Sequence, residues 1–131
     1  MLRNSRMTYD KNLSPVNWYL VSYLLRFIEL DDPRKDDDEA RFMSWENTIL
    51  VNATSLGHAY EKGVKVARAN AKPYQGGRKA VPVQWKLVGI TQALPVYEAL
   101  EDGCEIAWAE RAPRKLKTLK QMVGPKRSFF Q

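Results

Sequence analysis

The chain has 131 residues, of which 44% are hydrophobic and 27% are charged, a composition typical of one soluble domain of ordinary size. No apolar run reaches the roughly 20 residues that a membrane-spanning helix needs. The lone Cys104 excludes an internal disulfide and a cysteine-based metal site. Because the start of the chain also has no hydrophobic stretch, we predict a cytoplasmic location.

The formal net charge of +6 is unevenly distributed. Residues 111–131 contain seven cations and no acid, so the remaining residues 1–110 carry a charge of −1. This distribution predicts a near-neutral folded body followed by a basic C-terminal arm. At the other end, residues 1–16 are polar and lead to Ser14-Pro15, which predicts a flexible N-terminal arm.

Residues 17–30 are rich in aromatic and β-branched residues and predict a long central strand. The charged segment 31–39 contains a proline and predicts a solvated loop. Apolar residues then alternate over 45–53, which predicts a second strand that pairs with the first as a long-looped hairpin. Thr54 or Ser55 is a candidate N-cap for an amphipathic helix that covers one face of the sheet and ends within residues 70–73.

The second half of the body is predicted to contain further strands. Residues 75–79 are typical of a turn-rich connector, and residues 83–90 form a third strand in which Gly89 marks a bulge. Residues 94–98 predict a fourth, shorter strand or an extension of the third. After a turn at Asp102-Gly103, alternation over 104–109 predicts a last strand. The predicted order is ββαβββ, a single small α+β domain over residues 17–110 with a mostly antiparallel sheet.

These segments resemble a family of short bacterial proteins that is defined only as a domain of unknown function. The likeness rests on a Trp-Tyr opening strand (18–27), a Glu-x-x-x-Leu-Val-x-Ala strand (46–53), a Trp-x-x-Val-Gly-Ile strand (85–90) and an Asp-Gly-x-Glu-Ile ending (102–106). It covers roughly residues 17–110 and leaves both arms outside. The resemblance implies no activity, cofactor or catalytic residue.

Catalytic and cofactor sites are not predicted. His58 is the only histidine, so the chain cannot assemble a histidine metal cluster or a Ser/His/Asp triad. We interpret His58 as a solvated residue of the first helical turn and Cys104 as a buried thiol. Glu46, Glu98 and Glu105 could form a paired-carboxylate site if their strands were neighbours, but outward-facing strand glutamates are commonplace. We therefore predict a non-enzymatic protein with no cofactor and no metal.

Three other patterns receive a structural interpretation. The run of acids at 36–39 does not have the alternating spacing of a calcium loop, and Gly76-Gly77-Arg78-Lys79 does not have the context of a phosphate-binding loop. The tryptophans fall one per predicted strand, within alternating apolar sets. Exposed, they would form a base-stacking platform, but we expect core packing. They are Trp18, Trp45, Trp85 and Trp108.

The C-terminal arm is the candidate functional segment. Its apolar residues have the spacing of a short amphipathic helix that Gly124-Pro125 would end, and two phenylalanines follow. We predict that the apolar residues anchor a partner and that the cations steer it. The predicted partner-binding residues are Arg114, Lys115, Leu116, Lys117, Leu119, Lys120, Lys126, Arg127, Phe129 and Phe130.

The sequence thus favours a protein-binding module, such as an adaptor, an inhibitor, an immunity-type protein or an accessory subunit of a complex. Such a module presents sheet edges and the basic arm to another protein. The alternative is a nucleic-acid or ribonucleoprotein accessory protein whose arm contacts phosphates. Membrane binding is less favoured, and the sequence leaves the oligomeric state open.

Overall fold

The central strand of the sheet is the aromatic and aliphatic segment expected from the sequence. In the computed structural model, which describes residues 10–76 and 81–131, β1 spans Trp18–Glu29. β2 spans Ser44–Asn52, β3 Tyr74–Gly76 and β4 Val81–Pro95. These strands are ordered β2-β1-β4-β3, and each neighbouring pair is antiparallel. The predicted α+β class with a mostly antiparallel sheet is confirmed.

The helix α1 spans Leu56–Asn70 and packs on one face of this sheet. Ser55 is its N-cap: the residue is extended, with φ −156°, and its hydroxyl accepts a hydrogen bond from the backbone N–H of His58 at 3.1 Å. This bond satisfies one of the N–H groups that the first helical turn leaves without a partner. The helix buries small residues, namely Ala59, Gly63 and Ala67, so that its backbone lies close to β1.

Alternate residues of β1 point toward α1 and form the core, as their period of two predicts. One cluster contains Tyr19 and Val21, both fully buried, together with Val51, Ala53 and Ala59. A second contains Tyr23, Leu25 and Ala67. Most of the buried apolar side chains of the body therefore lie between the sheet and the small residues of α1.

The acidic loop folds back toward the opposite side of β1. The carboxylate of Asp36 lies 3.5 Å from the guanidinium of Arg26 and 3.8 Å from the ammonium of Lys86. Arg26 also donates to the backbone carbonyl of Lys35 and lies over the ring of Phe42, 4.7 Å from its centroid. Asp36 remains 67% exposed, so these ion pairs orient the loop and contribute little stability.

Ser14 belongs to the packed body, although the sequence placed it in the N-terminal arm. Its side chain is buried, and its hydroxyl donates to the carbonyl of Val96 at 2.5 Å. The same oxygen accepts from the N–H groups of Val16 and Trp18, each at 3.2 Å. The expected flexible arm is therefore wrong for this residue, because a long-range hydrogen bond fixes it. Residues 1–9 of that arm lie outside the described residues.

The second half of the body differs from the expected strand order. Residues 83–95 belong to one strand, β4, so the alternative of an extended third strand holds for residues 94–95, whereas residues 96–98 form no strand. Its pairing with β1 shifts register between Ser22 and Tyr23 and again between Leu24 and Leu25. The second irregularity lies next to Gly89, which itself pairs with Leu24. The short β3 was not predicted; it takes up Gln75 and Gly76 of the expected connector, and residues 77–79 lie outside the described residues.

The last predicted strand is absent: residues 104–109 form no strand in the described chain. The turn before it is present, with Gly103 at φ +84°, a conformation that glycine adopts without strain. Alternation over 104–109 was misleading because a strand also needs a partner strand, and no described strand pairs with this segment. The element order over the described body is ββαββ.

Candidate functional site

The C-terminal arm contains two short helical segments separated at Gly124-Pro125. The first, α2, spans Leu116–Gln121, and a 3₁₀ turn spans Lys126–Phe129. In the turn, the backbone N–H and the hydroxyl of Ser128 both donate to the carbonyl of Pro125, at 2.9 and 2.7 Å. The arm thus has local structure.

The apolar residues of the arm are exposed to solvent. Phe129 and Phe130 are 70% and 76% exposed, and Leu116 is 65% exposed. Within the described residues, α2 contacts neither the sheet nor α1. Phe130 lines a shallow depression of about 440 Å³ together with Pro125, Lys126 and Arg127. An apolar set that no described part of the chain covers is a candidate contact for another molecule.

All seven cations of the arm are exposed. The ion pairs found in the described chain involve Arg26, Lys35 and Lys86 with Asp36, and none involves the arm. The arm therefore carries a concentrated positive charge that no carboxylate of the described residues pairs with. The ten predicted partner-binding residues all lie on this exposed segment, with six of them in or next to α2 and four in or next to the 3₁₀ turn.

The three glutamates considered for catalysis line none of the clefts found among the described residues. Glu46 accepts a hydrogen bond from the hydroxyl of Thr91. Glu98 accepts from the backbone N–H of Glu105 at 3.3 Å. All three carboxylates are exposed. Among the described residues, no group of three His, Cys, Asp or Glu side chains could hold a metal ion.

A cleft lies elsewhere, next to the start of α1. Its volume is about 510 Å³, and it lies between the N-terminal segment, the end of β4 and the segment after Gly103. The lining residues are Lys11, Asn12, Leu56, Ala93, Leu94, Pro95, Tyr97 and Trp108, which include no acid and no histidine. The cleft therefore contains no carboxylate pair for acid–base chemistry.

Two structural interpretations from the sequence need correction. Trp45 and Trp108 are 57% and 55% exposed, so core packing fails for both. Trp45 instead stacks on Trp85, with ring centroids 4.9 Å apart. Cys104 is half-buried because the strand that was to turn it inward does not form. His58 is exposed in the first turn of α1, as expected.

The sequence did not single out the free side of β2, whose exposed residues include Trp45 and Leu50, at 57% and 44%. The signal was present in its composition, since residues 44–52 contain no lysine, arginine or proline, the residues that commonly protect an edge strand. Only the strand order shows that β2 lies at an edge.

Comparison with protein families gives a match over most of the body. A family model described as a domain of unknown function, DUF4288, matches residues 18–108, from the first residue of β1 to Trp108. No curated protein and no solved structure matches the chain. The match includes the sheet, α1 and the lining of the cleft other than Lys11 and Asn12, and it ends before the basic arm. Among the described residues, no helix is long and apolar enough to cross a membrane.

Proposed function

The chain belongs to the DUF4288 family of domains of unknown function, and because membership assigns no activity, we propose that the protein is a non-enzymatic, protein-binding module that engages its partner through the C-terminal arm. The observation that carries this proposal is the exposure of Leu116, Leu119, Phe129 and Phe130 on a segment whose seven cations form no ion pair with the described residues. A purely solubilising tail does not need four exposed apolar anchors.

The division of roles within the arm follows from its chemistry. The apolar side chains supply the affinity, since buried aromatic and aliphatic anchors dominate most protein interfaces. The cations raise the association rate with an acidic partner and make that rate depend on salt. Adaptor, inhibitor, immunity-type and accessory-subunit roles all use such an interface. A cytoplasmic location and a bacterial origin are part of the proposal.

The test begins with affinity capture from nuclease-treated lysate, followed by titration of the purified partner. We expect the paired substitutions L116D/L119D and F129A/F130A each to weaken binding at least tenfold, a loss of about 1.4 kcal/mol or more. Gln121→Ala, in the same helix, is the matched control and leaves affinity unchanged. If both paired variants bind as tightly as the parent protein, the arm does not anchor the partner.

Nucleic-acid binding is the second candidate, favoured by the seven arm cations and by the exposure of Trp45 and Trp108. The two candidates respond differently to salt. Contacts to phosphates lose affinity by roughly one power of salt concentration per neutralised phosphate, whereas an apolar contact responds weakly. A steep salt dependence that the F129A/F130A variant retains would favour nucleic acid over protein.

A further inference from the structure

The two edges of the sheet differ in length and in protection. β3, at one edge, has three residues, whereas β2, at the other, has nine. β2 pairs with β1 through nine successive residues, from Trp18↔Asn52 to Arg26↔Ser44, without a register shift. It contains one charged residue, Glu46, and no lysine or proline. Short length, bulges, lysine and proline are the usual protections of an edge strand, and β2 has none of them.

The backbone groups that face the free edge can be identified. In an antiparallel pair, the N–H and C=O of one residue point to the same side, and successive residues alternate. Met43 accepts from the N–H of Phe27 at 2.9 Å, and Ala53 donates to the carbonyl of Asn17 at 2.9 Å. Odd-numbered residues of β2 therefore face β1, and even-numbered ones face the edge.

A contact at the end of the strand agrees with this assignment. The carbonyl of Asn52 accepts a hydrogen bond from the ammonium of Lys62, which reaches it from α1. The other outward-facing residues are Ser44, Glu46, Thr48 and Leu50. Within the described residues, no strand lies on that side of them. They present a row of donors and acceptors that matches another extended chain.

The strand is complementary to itself. Thr48 is the midpoint of Ser44–Asn52, so antiparallel pairing of two copies about Thr48 aligns the whole strand. Glu46 then lies opposite Leu50 of the second copy, and like charges never meet. Trp45 lies opposite Val51, an aromatic and β-branched pair that stabilises neighbouring strands. In this pairing the second copy buries part of the exposed side chains of Trp45 and Leu50.

From these observations we propose that β2 is the interface of a symmetric dimer, in which two copies of β2 pair antiparallel about Thr48 and join two sheets into one of eight strands. Such an interface uses the same surface of both copies and closes on itself. It involves no residue of the C-terminal arm, so it is independent of the arm's proposed role.

Analytical ultracentrifugation of the full chain over about a hundredfold range of concentration tests this proposal, since a dimer dissociates on dilution. Leu50→Pro removes an outward-facing N–H, and its ring blocks pairing while the bonds to β1 are kept. We expect this variant to be monomeric throughout, whereas the control Leu50→Ala remains dimeric. A full chain that is monomeric at every concentration, or a folded L50P that still dimerises, would overturn the proposal.

A second pair of variants leaves the backbone intact and tests the register. Leu50→Lys places an ammonium opposite Glu46 of the second copy, so dimerisation persists and weakens as salt is added. Leu50→Glu places two carboxylates opposite each other at two symmetric positions, and we expect a dissociation constant about tenfold higher. Equal effects of the two substitutions would contradict the register centred on Thr48.

Amide hydrogen exchange provides the residue-level measurement. The N–H groups of Glu46, Thr48 and Leu50 should be protected at high protein concentration, and those of Glu46 and Thr48 should exchange rapidly in the monomeric L50P. The L116D/L119D variant should dimerise like the parent protein. A monomeric parent protein whose arm variants still lose their partner would overturn the dimer and leave the proposed function standing. A parent protein that dimerises while its arm variants bind the partner normally would overturn the proposed function and leave the dimer standing.

Discussion

The body and the arm make opposite use of their apolar residues. In the body, Tyr19, Val21 and Tyr23 are almost fully buried between the sheet and α1, while in the arm Phe129 and Phe130 are more than two-thirds exposed. The family match follows this division, because it covers residues 18–108 and stops before the arm. The arm thus lies beyond the part of the chain that the family model matches, and its phenylalanines are exposed there.

The largest effect on the body is expected from Gly63→Ala. A Cβ at Gly63 would lie 2.4 Å from Cγ1 and 2.9 Å from Cβ of Val21, closer than carbon atoms approach. We expect a loss of about 3 kcal/mol in the free energy of unfolding, measured with urea. Gly57→Ala, in the same helix and with no atom within 4 Å of the new Cβ, should instead gain up to about 1 kcal/mol. Equal effects would mean that α1 does not pack this closely on β1.

A smaller effect is expected from Ser14→Ala, which tests whether the packed body begins at or before Ser14. The substitution leaves the carbonyl of Val96 and two backbone N–H groups without their hydrogen-bond partner. Leaving such groups buried and unpaired costs about 2 kcal/mol in the free energy of unfolding. The exposed Ser44→Ala is the control, with a change within about 0.5 kcal/mol. A negligible change in the free energy of unfolding for Ser14→Ala would mean that Ser14 belongs to the N-terminal arm and not to the packed body.

Ser55→Ala should have the smallest of these effects on stability. Removing the hydroxyl that accepts from His58 costs about 1 kcal/mol. Ser55→Asp keeps an acceptor and places a negative charge at the helix N-terminus, so it should keep or raise the stability. Thr54→Ala serves as the control. A chemical denaturation series that ranks Ala equal to Asp at position 55 would contradict the assigned cap.

Sequence patterns predicted the elements that depend on local chemistry. Period-two alternation marked β1 and β2, the change of period marked α1, and Ser55 was one of two candidates for the cap. The patterns failed where structure depends on pairing. Residues 104–109 alternate without a partner strand, the three residues of β3 are too few to show a period, and the hydrogen bond from Ser14 to Val96 spans 82 positions.

The candidate sites show the same limit. The exposure of Trp45 depends on which residues α1 covers, and the edge position of β2 depends on the strand order. Neither can be derived from the spacing of residues in the chain. The arm was accessible to sequence reasoning because its signal, cations without acids beside regularly spaced apolar residues, is local.

Truncation after Glu110 tests the division between body and arm most directly. The truncated chain keeps the sheet, α1 and Trp108. We predict that its free energy of unfolding stays within about 0.5 kcal/mol of the full chain, while its affinity for the purified partner falls at least a hundredfold. A truncated protein that unfolds, or one that binds the partner as tightly as the full chain, would contradict the account.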